Sequence, residues 1–295
     1  MPPFVTAYGS RRYLAPLEHR LLSFTARRRR CLHHHHHLPR LPPPPLAPLS
    51  SCNLPSPSGN SLFRGMEQYL TGRGINKNKA MVEHLQHYGV LRSKKLAEVM
   101  ETIDRALFVP EGNPPYVDSP MPIGYNATIS APHMHATCLQ LLEGKLKPGM
   151  RALDVGSGTG YLTACFALMV GPEGRAVGIE HIPELVTSSI QNIKKSAAAP
   201  LLKKGSLSVH VGDGRLGRPA SAPYDAIHVG AASPEIPPAL LEQLNPGGRM
   251  VIPVGEMFQN LKVIDKNADG SISAWTETSV SYVPLTSRES QLQGY

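Results

Sequence analysis

Three glycines at alternate positions, Gly156, Gly158 and Gly160, constrain this chain more than any other feature. They follow the short apolar run Ala152-Leu153-Asp154-Val155 and precede a helix-period apolar run from Tyr161 to Val170. Strand, glycine turn and helix together open a doubly wound α/β unit, which lays a nucleoside-bearing ligand across its turn. Glycine suits the turn because a Cβ would obstruct positive φ angles and close backbone approach. The spacing is G-x-G-x-G rather than the dinucleotide G-x-G-x-x-G. Asp154 stands just before the first glycine, where a carboxylate repels a pyrophosphate but accepts a hydrogen bond from an ammonium or amino group. The next strand, Ala176 to Ile179, ends in Glu180, twenty residues past Gly160. That is the usual place of a carboxylate that binds two ribose hydroxyls. Two carboxylates and no phosphate clamp favour S-adenosylmethionine over NAD; the alternative is a glycine turn that only packs.

Charge has to be read by region. The chain of 295 residues carries a formal net charge of +8, which by itself suggests an anionic partner. Residues 1–66 hold nine arginines, no lysine and one acid, Glu18, leaving 21 basic and 21 acidic residues in 67–295. The folded part is therefore neutral, and nucleic-acid binding by it has no electrostatic support. The first 66 residues also contain Arg27 to Arg30, five histidines at 33–37 and four prolines at 42–45. Proline blocks helix and sheet, and few apolar side chains recur at any period, so the expectation is a disordered leader. Rich in Arg and Ser and almost free of acid, it resembles an organelle transit peptide. A leader without an address, a start at Met66, and a nuclear import signal in the Arg block are the other readings. Cys31 and Cys52 lie in the leader, while Cys138 and Cys165 fall on apolar helical runs. Reduced, buried thiols are expected there, with no metal site.

Past residue 66 the pattern becomes globular. We divide 67–295 into N-terminal helices with a substrate loop (67–148) and a cofactor-binding α/β core (149–295). Helical stripes run from Asn78 to Tyr88, from the Ser93 cap through Ile103, and from His133 to Leu146. Between them Phe108 to Gly124 reads as a long irregular segment. After Glu180 the spacing predicts a helix over Ile182 to Lys195, a strand over Ser206 to Val211 and a strand over Tyr224 to Gly230. A helix over Pro237 to Leu244 and a strand over Met250 to Val254 follow. This alternation implies a mostly parallel sheet covered on both faces. Two final β-rich runs, Leu261 to Asp265 and Ser279 to Val283, are expected to form an antiparallel edge pair linked at Asn267 to Gly270.

Asp154, Glu180 and Asp213 all fall at carboxyl ends of strands, where ligands of such sheets bind. Two further runs stand out: Asp118-Ser119-Pro120, and Ala127-Thr128-Ile129-Ser130-Ala131-Pro132-His133-Met134-His135. These resemble the signature of the protein-L-isoaspartate (D-aspartate) O-methyltransferases. Asp154 to Gly160, Gly212 to Gly214, Tyr224 to Ala232, Pro246 to Gly255 and Val283 to Thr286 follow the same family in order and spacing. The resemblance covers roughly residues 78–290 and leaves the leader outside. The glycine turn alone would suit any class I methyltransferase; the Thr-Ile-Ser-Ala-Pro-His-Met-His run is the discriminating piece.

The resemblance implies a class I S-adenosylmethionine-dependent methyltransferase fold, a Rossmann-like, seven-stranded, mostly parallel sheet. It implies a monomeric repair enzyme that methylates the free α-carboxylate of L-isoaspartyl and D-aspartyl residues in damaged proteins and peptides. Carried over to matching positions, Ser130 is the active-site residue. Ala127, Thr128, Ile129, Ser130 and His135 line the cofactor site, and Asp154, Glu180, Asp213, Gly214, Thr286 and Gln291 complete it. Gly156, Gly158 and Gly160 form the cofactor turn. Many members carry Asp where Glu180 stands. No nucleic-acid or membrane partner is expected, and the core is expected in the cytosol, or in a plastid, mitochondrion or nucleus if the leader is a targeting segment. The rival readings are a methyltransferase of small molecules or nucleic acids and a non-catalytic cofactor-binding adaptor. The nucleophile is a carboxylate with a pKa of about 4, ionised at neutral pH, so no general base is needed. His133 and His228 are read as structural, because the chemistry requires no metal.

Overall fold

The computed structural model describes residues 76–294. The leader, its boundary at residue 66, Cys31 and Cys52 lie outside the described residues. Local capping sets the first two helices. The Asn76 side chain accepts from Lys79 N–H at the start of α1 (Lys77–His87), and Ser93 accepts from Leu96 N–H at the start of α2 (Lys94–Thr102). Each cap satisfies a backbone donor that the helix itself leaves unpaired. The buried Asn78 amide then joins the helices by donating to the Met100 and Glu101 carbonyls at 2.9 and 3.0 Å.

The segment expected to be irregular up to Gly124 contains a strand. β1 (Met121–Gly124) pairs antiparallel with β2 (Ala127–Ile129), and Tyr125 and Asn126 turn the chain at φ 55° and 56°. Strands of four and three residues are too short to show alternation, and the turn lacks the Asn-Gly pair that marks such hairpins. Helix α3 (Pro132–Leu142) ends earlier than the stripe suggested, in a 3-10 turn over Glu143–Lys145 that still buries Leu146.

The α/β alternation follows as expected: β3 (Arg151–Val155), α4 (Tyr161–Val170), β4 (Arg175–Glu180), α5 (Pro183–Lys195), then a short α6 (Ala199–Lys204) that the sequence pattern did not show. Next come β5 (Leu207–Val211), β6 (Tyr224–Val229), α7 (Pro238–Gln243), β7 (Leu244–Val254), β8 (Gln259–Lys266), β9 (Ile272–Val280) and α8 (Arg288–Gln293). The seven strands lie in the order β5-β4-β3-β6-β7-β8-β9, parallel through β7 and antiparallel for the last two pairs. The antiparallel edge is therefore a simple meander. Its last strand is Ile272–Val280, not Ser279–Val283. Nearly every residue of β9 is exposed, so it carries no buried stripe to read.

Both faces of the parallel strands are packed, and side chains alternate between them. Leu153, Val155, Ile227 and Val229 face a smaller apolar cluster that includes Leu240 on α7. Ala152 and Ala226 face a larger one built from α1 through α5. Asp154 therefore projects to the larger, helix-covered face, beside α4. Cys138 and Cys165 are free and buried in that cluster.

Candidate active site

The parallel strands β3, β4, β5, β6 and β7 present their carboxyl ends along one edge, and two adjoining cavities open there. One has a lining that includes Glu180, Gly214, Thr286 and Gln291. The other has a lining that includes Ile129, Ser130, His135 and Asp154. Thr128, Gly156 and Gly158 border both, and Ala127 borders the first.

The glycine turn is shaped by packing as much as by the ligand. Gly156, Gly158 and Gly160 have φ of 69°, 52° and 91°. A Cβ on Gly160 would collide with the Ser189 hydroxyl of α5, so this glycine serves close helix approach and lines neither cavity. Four of the turn's amides are already paired. Gly156 and Ser157 N–H donate to the Ile179 carbonyl, Gly158 N–H to Glu180 Oε2 at 3.1 Å, and Gly160 N–H to the Ser157 carbonyl. A phosphate site needs such amides free and pointing outward. This turn offers a carboxylate instead, which excludes a pyrophosphate and fits a ribose.

Glu180 is buried, and its other oxygen accepts from Ile182 N–H at 3.1 Å. Each carboxylate oxygen accepts twice, so two acceptor positions remain on a fixed carboxylate for a diol. The neighbouring Ser157 and Thr159 hydroxyls are buried without a hydrogen-bond partner among the described residues, and both border the second cavity. These features suit a polar nucleoside sulfonium such as S-adenosylmethionine.

Asp154 sits lower than the sequence suggested. Its Oδ2 accepts from the Thr163 hydroxyl at 2.6 Å and its Oδ1 from His228 Nδ1 at 2.8 Å. Burial would lower the pKa of His228, yet the hydrogen bonds to Asp154 and Cys138 outweigh it and raise the imidazole to about 10. Asp154 and His228 thus form a buried ion pair under the glycine turn. Asp213 also differs from expectation. Its carboxylate is held by Arg215 in a two-pronged pair with a 2.7 Å contact, and only its neighbour Gly214 borders the cavity. Gln291, from α8, does reach the site: it donates to the Tyr125 carbonyl at 2.9 Å, and its Oε1 meets His181 Nε2 at 2.8 Å. The last helix and the β1–β2 hairpin are thereby joined across the first cavity.

The Asp118-Ser119-Pro120 and Ser130-Ala131-Pro132-His133 motifs have a common purpose. Asp118 Oδ1 accepts from both the backbone N–H and Nδ1 of His133, each at 2.9 Å, and so caps α3 from a distant loop. Ser130 is thereby fixed immediately before the helix. The Tyr282 side chain lies near Ser130 and Cys138.

Arg105, which no motif or period singled out, organises this corner. It is fully buried, donates to the Ser130 carbonyl at 2.8 Å and the Pro115 carbonyl at 2.8 Å, and lies 3.2 Å from His135 Nδ1. Burial lowers its pKa only to about 10, so it stays charged at neutral pH. A guanidinium can only donate, so His135 Nδ1 must be the acceptor and the ring proton must reside on Nε2. Burial first, and then the Arg105 charge, hold His135 well below the usual imidazole pKa. The ring stacks on Tyr161 at 4.9 Å. The expected result is a neutral Nε2–H tautomer for His135 throughout the neutral range, read from its ring ¹⁵N shifts. An imidazolium or an Nδ1–H tautomer would contradict this geometry.

Comparison with known proteins agrees with this architecture. The family model described as protein-L-isoaspartate(D-aspartate) O-methyltransferase matches residues 76–290. The chain is 62% identical over 294 residues to protein-L-isoaspartate O-methyltransferase 2 of Arabidopsis thaliana, covering 99% of this chain and 88% of that one. It is 72% identical over 228 residues to the protein-L-isoaspartate O-methyltransferase of Triticum aestivum, covering 77% and 99%. A solved structure from Plasmodium falciparum, described as a protein-L-isoaspartate O-methyltransferase in complex with S-adenosyl-L-homocysteine, superposes with a TM-score of 0.66. It is 34% identical and covers 72% of this chain and 99% of that one.

Proposed function

The chain belongs to the protein-L-isoaspartate (D-aspartate) O-methyltransferase family, and from that premise we propose which of its residues carry the reaction. The activity is methyl transfer from S-adenosylmethionine to the free α-carboxylate of an isoaspartyl residue in a damaged protein or peptide. S-adenosylmethionine supplies the electrophilic methyl group. The carboxylate oxygen forms the new bond as the carbon–sulfur bond breaks, and the ester can then close to a succinimide that reopens in part to aspartate. No proton has to be removed, so the protein's work is alignment in a site that excludes water.

The observation that carries the assignment is the shared border of the two cavities. Ser130 and His135 stand over one, Glu180, Thr286 and Gln291 over the other, and the glycine turn runs between them. In this reading Glu180 receives the ribose hydroxyls, while Thr286 and Gln291 close over the nucleoside with Ala127, Thr128 and Ile129. The Ser130 hydroxyl donates to the isoaspartyl carboxylate. His135 offers its Nε2–H to an anionic group in the second cavity, and Asp154 fixes the turn from below. Asp213 must exchange Arg215 for a purine amine. An exposed pair of this kind is worth about 0–1 kcal/mol, so the exchange costs little. Among the described residues no helix is long and apolar enough to cross a membrane.

The test is methyl transfer from labelled S-adenosylmethionine to matched peptides containing isoaspartate or aspartate. Transfer to the isoaspartyl peptide alone is expected. Cofactor binding without transfer to that peptide would leave the fold intact and refute the substrate.

A further inference from the structure

The β7–β8 connection places two large apolar side chains in water at the edge that holds the active site. Met257 and Phe258 are adjacent and each 85% exposed. The loop that carries them is pinned on several sides. Gly255 has φ 125°, and a Cβ there would collide with the Phe258 carbonyl, so the chain doubles back in a form only glycine accommodates. Gly255 N–H donates to the Ser233 carbonyl at 2.9 Å. The Gln259 amide donates to the Glu256 and Tyr282 carbonyls at 3.2 and 3.1 Å, and its Oε1 accepts from Tyr282 N–H at 2.6 Å. Tyr282 in turn touches Ser130. The loop is thus anchored to a residue that lies beside the active-site serine, with its two apolar side chains left unpacked.

Folding does not explain their exposure, since neither side chain is buried against any part of the described chain. Their position relative to the reaction is set by the sheet. β7 lies two strands from β3, whose end carries the glycine turn. At about 4.8 Å per strand this is about 10 Å, a distance that about three extended residues span.

We propose that Met257 and Phe258 form a docking finger for the substrate polypeptide, gripping an apolar side chain about three residues from the residue being methylated. The proposal rests on the reaction assigned above. It makes the enzyme a reader of unfolded segments as well as of the lesion, because apolar side chains are mostly buried in folded proteins and become reachable when chains open.

The experiment compares two isoaspartyl peptides with the full chain, one carrying Leu at the third position on each side of the lesion and the other carrying Ser there. Wild type is expected to favour the Leu peptide by about tenfold in kcat/KM, expressed in KM. Met257→Ser with Phe258→Ser should abolish that preference and leave the Ser peptide and the S-adenosylmethionine Kd unchanged. Met257→Leu with Phe258→Leu should keep it. Equal KM for both peptides in wild type, or an unchanged preference in the Ser variant, would overturn the finger while leaving the reaction standing. Equal losses on both peptides would show a merely structural loop and overturn it too. So would sedimentation showing that these residues hold two copies of the chain together. Failure of wild type to methylate either peptide would overturn the assigned reaction and the finger with it.

Discussion

Replacing Ser130 by Ala is expected to lower kcat by about 10²-fold while the Kd for S-adenosylmethionine stays within about threefold, since misalignment at a reacting centre can cost that much rate. The attacking carboxylate is ionised without help, so the hydroxyl has no proton to abstract. Its contribution is to hold one oxygen on the line of attack. The surroundings are built for that purpose: Arg105 fixes the Ser130 carbonyl, Asp118 fixes the helix that follows, and Tyr282 lies beside the serine. Removing one oxygen leaves those supports and the cofactor cavity in place. Single-turnover rates with isoaspartyl peptide, set beside cofactor titration, separate the two effects. Equal losses in rate and cofactor affinity would refute the role, as would a variant with wild-type kcat.

Replacing Asp154 by Ala is expected to destabilise the protein by about 3–5 kcal/mol, the cost of breaking a buried ion pair from one side. For a domain of this size that corresponds to a fall in Tm of about 6–20 °C. The variant leaves a buried His228 beside Phe166 and Cys138 without its carboxylate partner. Adding His228→Leu to Asp154→Ala should restore part of the loss, because the orphaned polar group is then removed as well. Calorimetry on both variants decides the matter; additive losses would mean that the two side chains do not act as a pair. The pH dependence has a definite sign. A histidine whose pKa is raised on folding contributes fully below its unfolded value of about 6.5 and loses that contribution as pH rises through the folded value. With His228 raised to about 10, this contribution declines from pH 6.5 upward and is gone above about pH 10. The slope should disappear in the His228→Leu background.

The supports of the site differ sharply in how visible they are in the chain. Strand β3, the glycine turn and helix α4 are legible because each depends on neighbours in sequence: an apolar run, residues that tolerate positive φ, and an apolar helical period. Glu180 is legible for the same reason, since the length of one β-turn-α-β unit fixes where the next strand must end. The Ser93 cap likewise acts within three residues. Asp213 shows the limit of that logic. Its place at a strand end is local and legible, while its attachment to Arg215 depends on a side-chain choice that position alone does not dictate.

By itself, then, the sequence determined a doubly wound α/β protein with a nucleoside turn and, through its Thr-Ile-Ser-Ala-Pro-His-Met-His run, the family and its reaction. Only the tertiary structure decided what holds the catalytic corner. Arg105 meets His135 across 30 residues, Asp154 meets His228 across 74, and Gln291 meets Tyr125 across 166. None of these pairs leaves a periodic or compositional trace, because one polar residue inside an apolar stretch reads the same whether it is paired or not. It was also the fold that set β9 at the sheet edge, since a strand exposed along nearly its whole length has no buried face to impose alternation on its residues. Hydrophobic period is written by burial, and contacts between distant polar side chains are written by the geometry that burial produces.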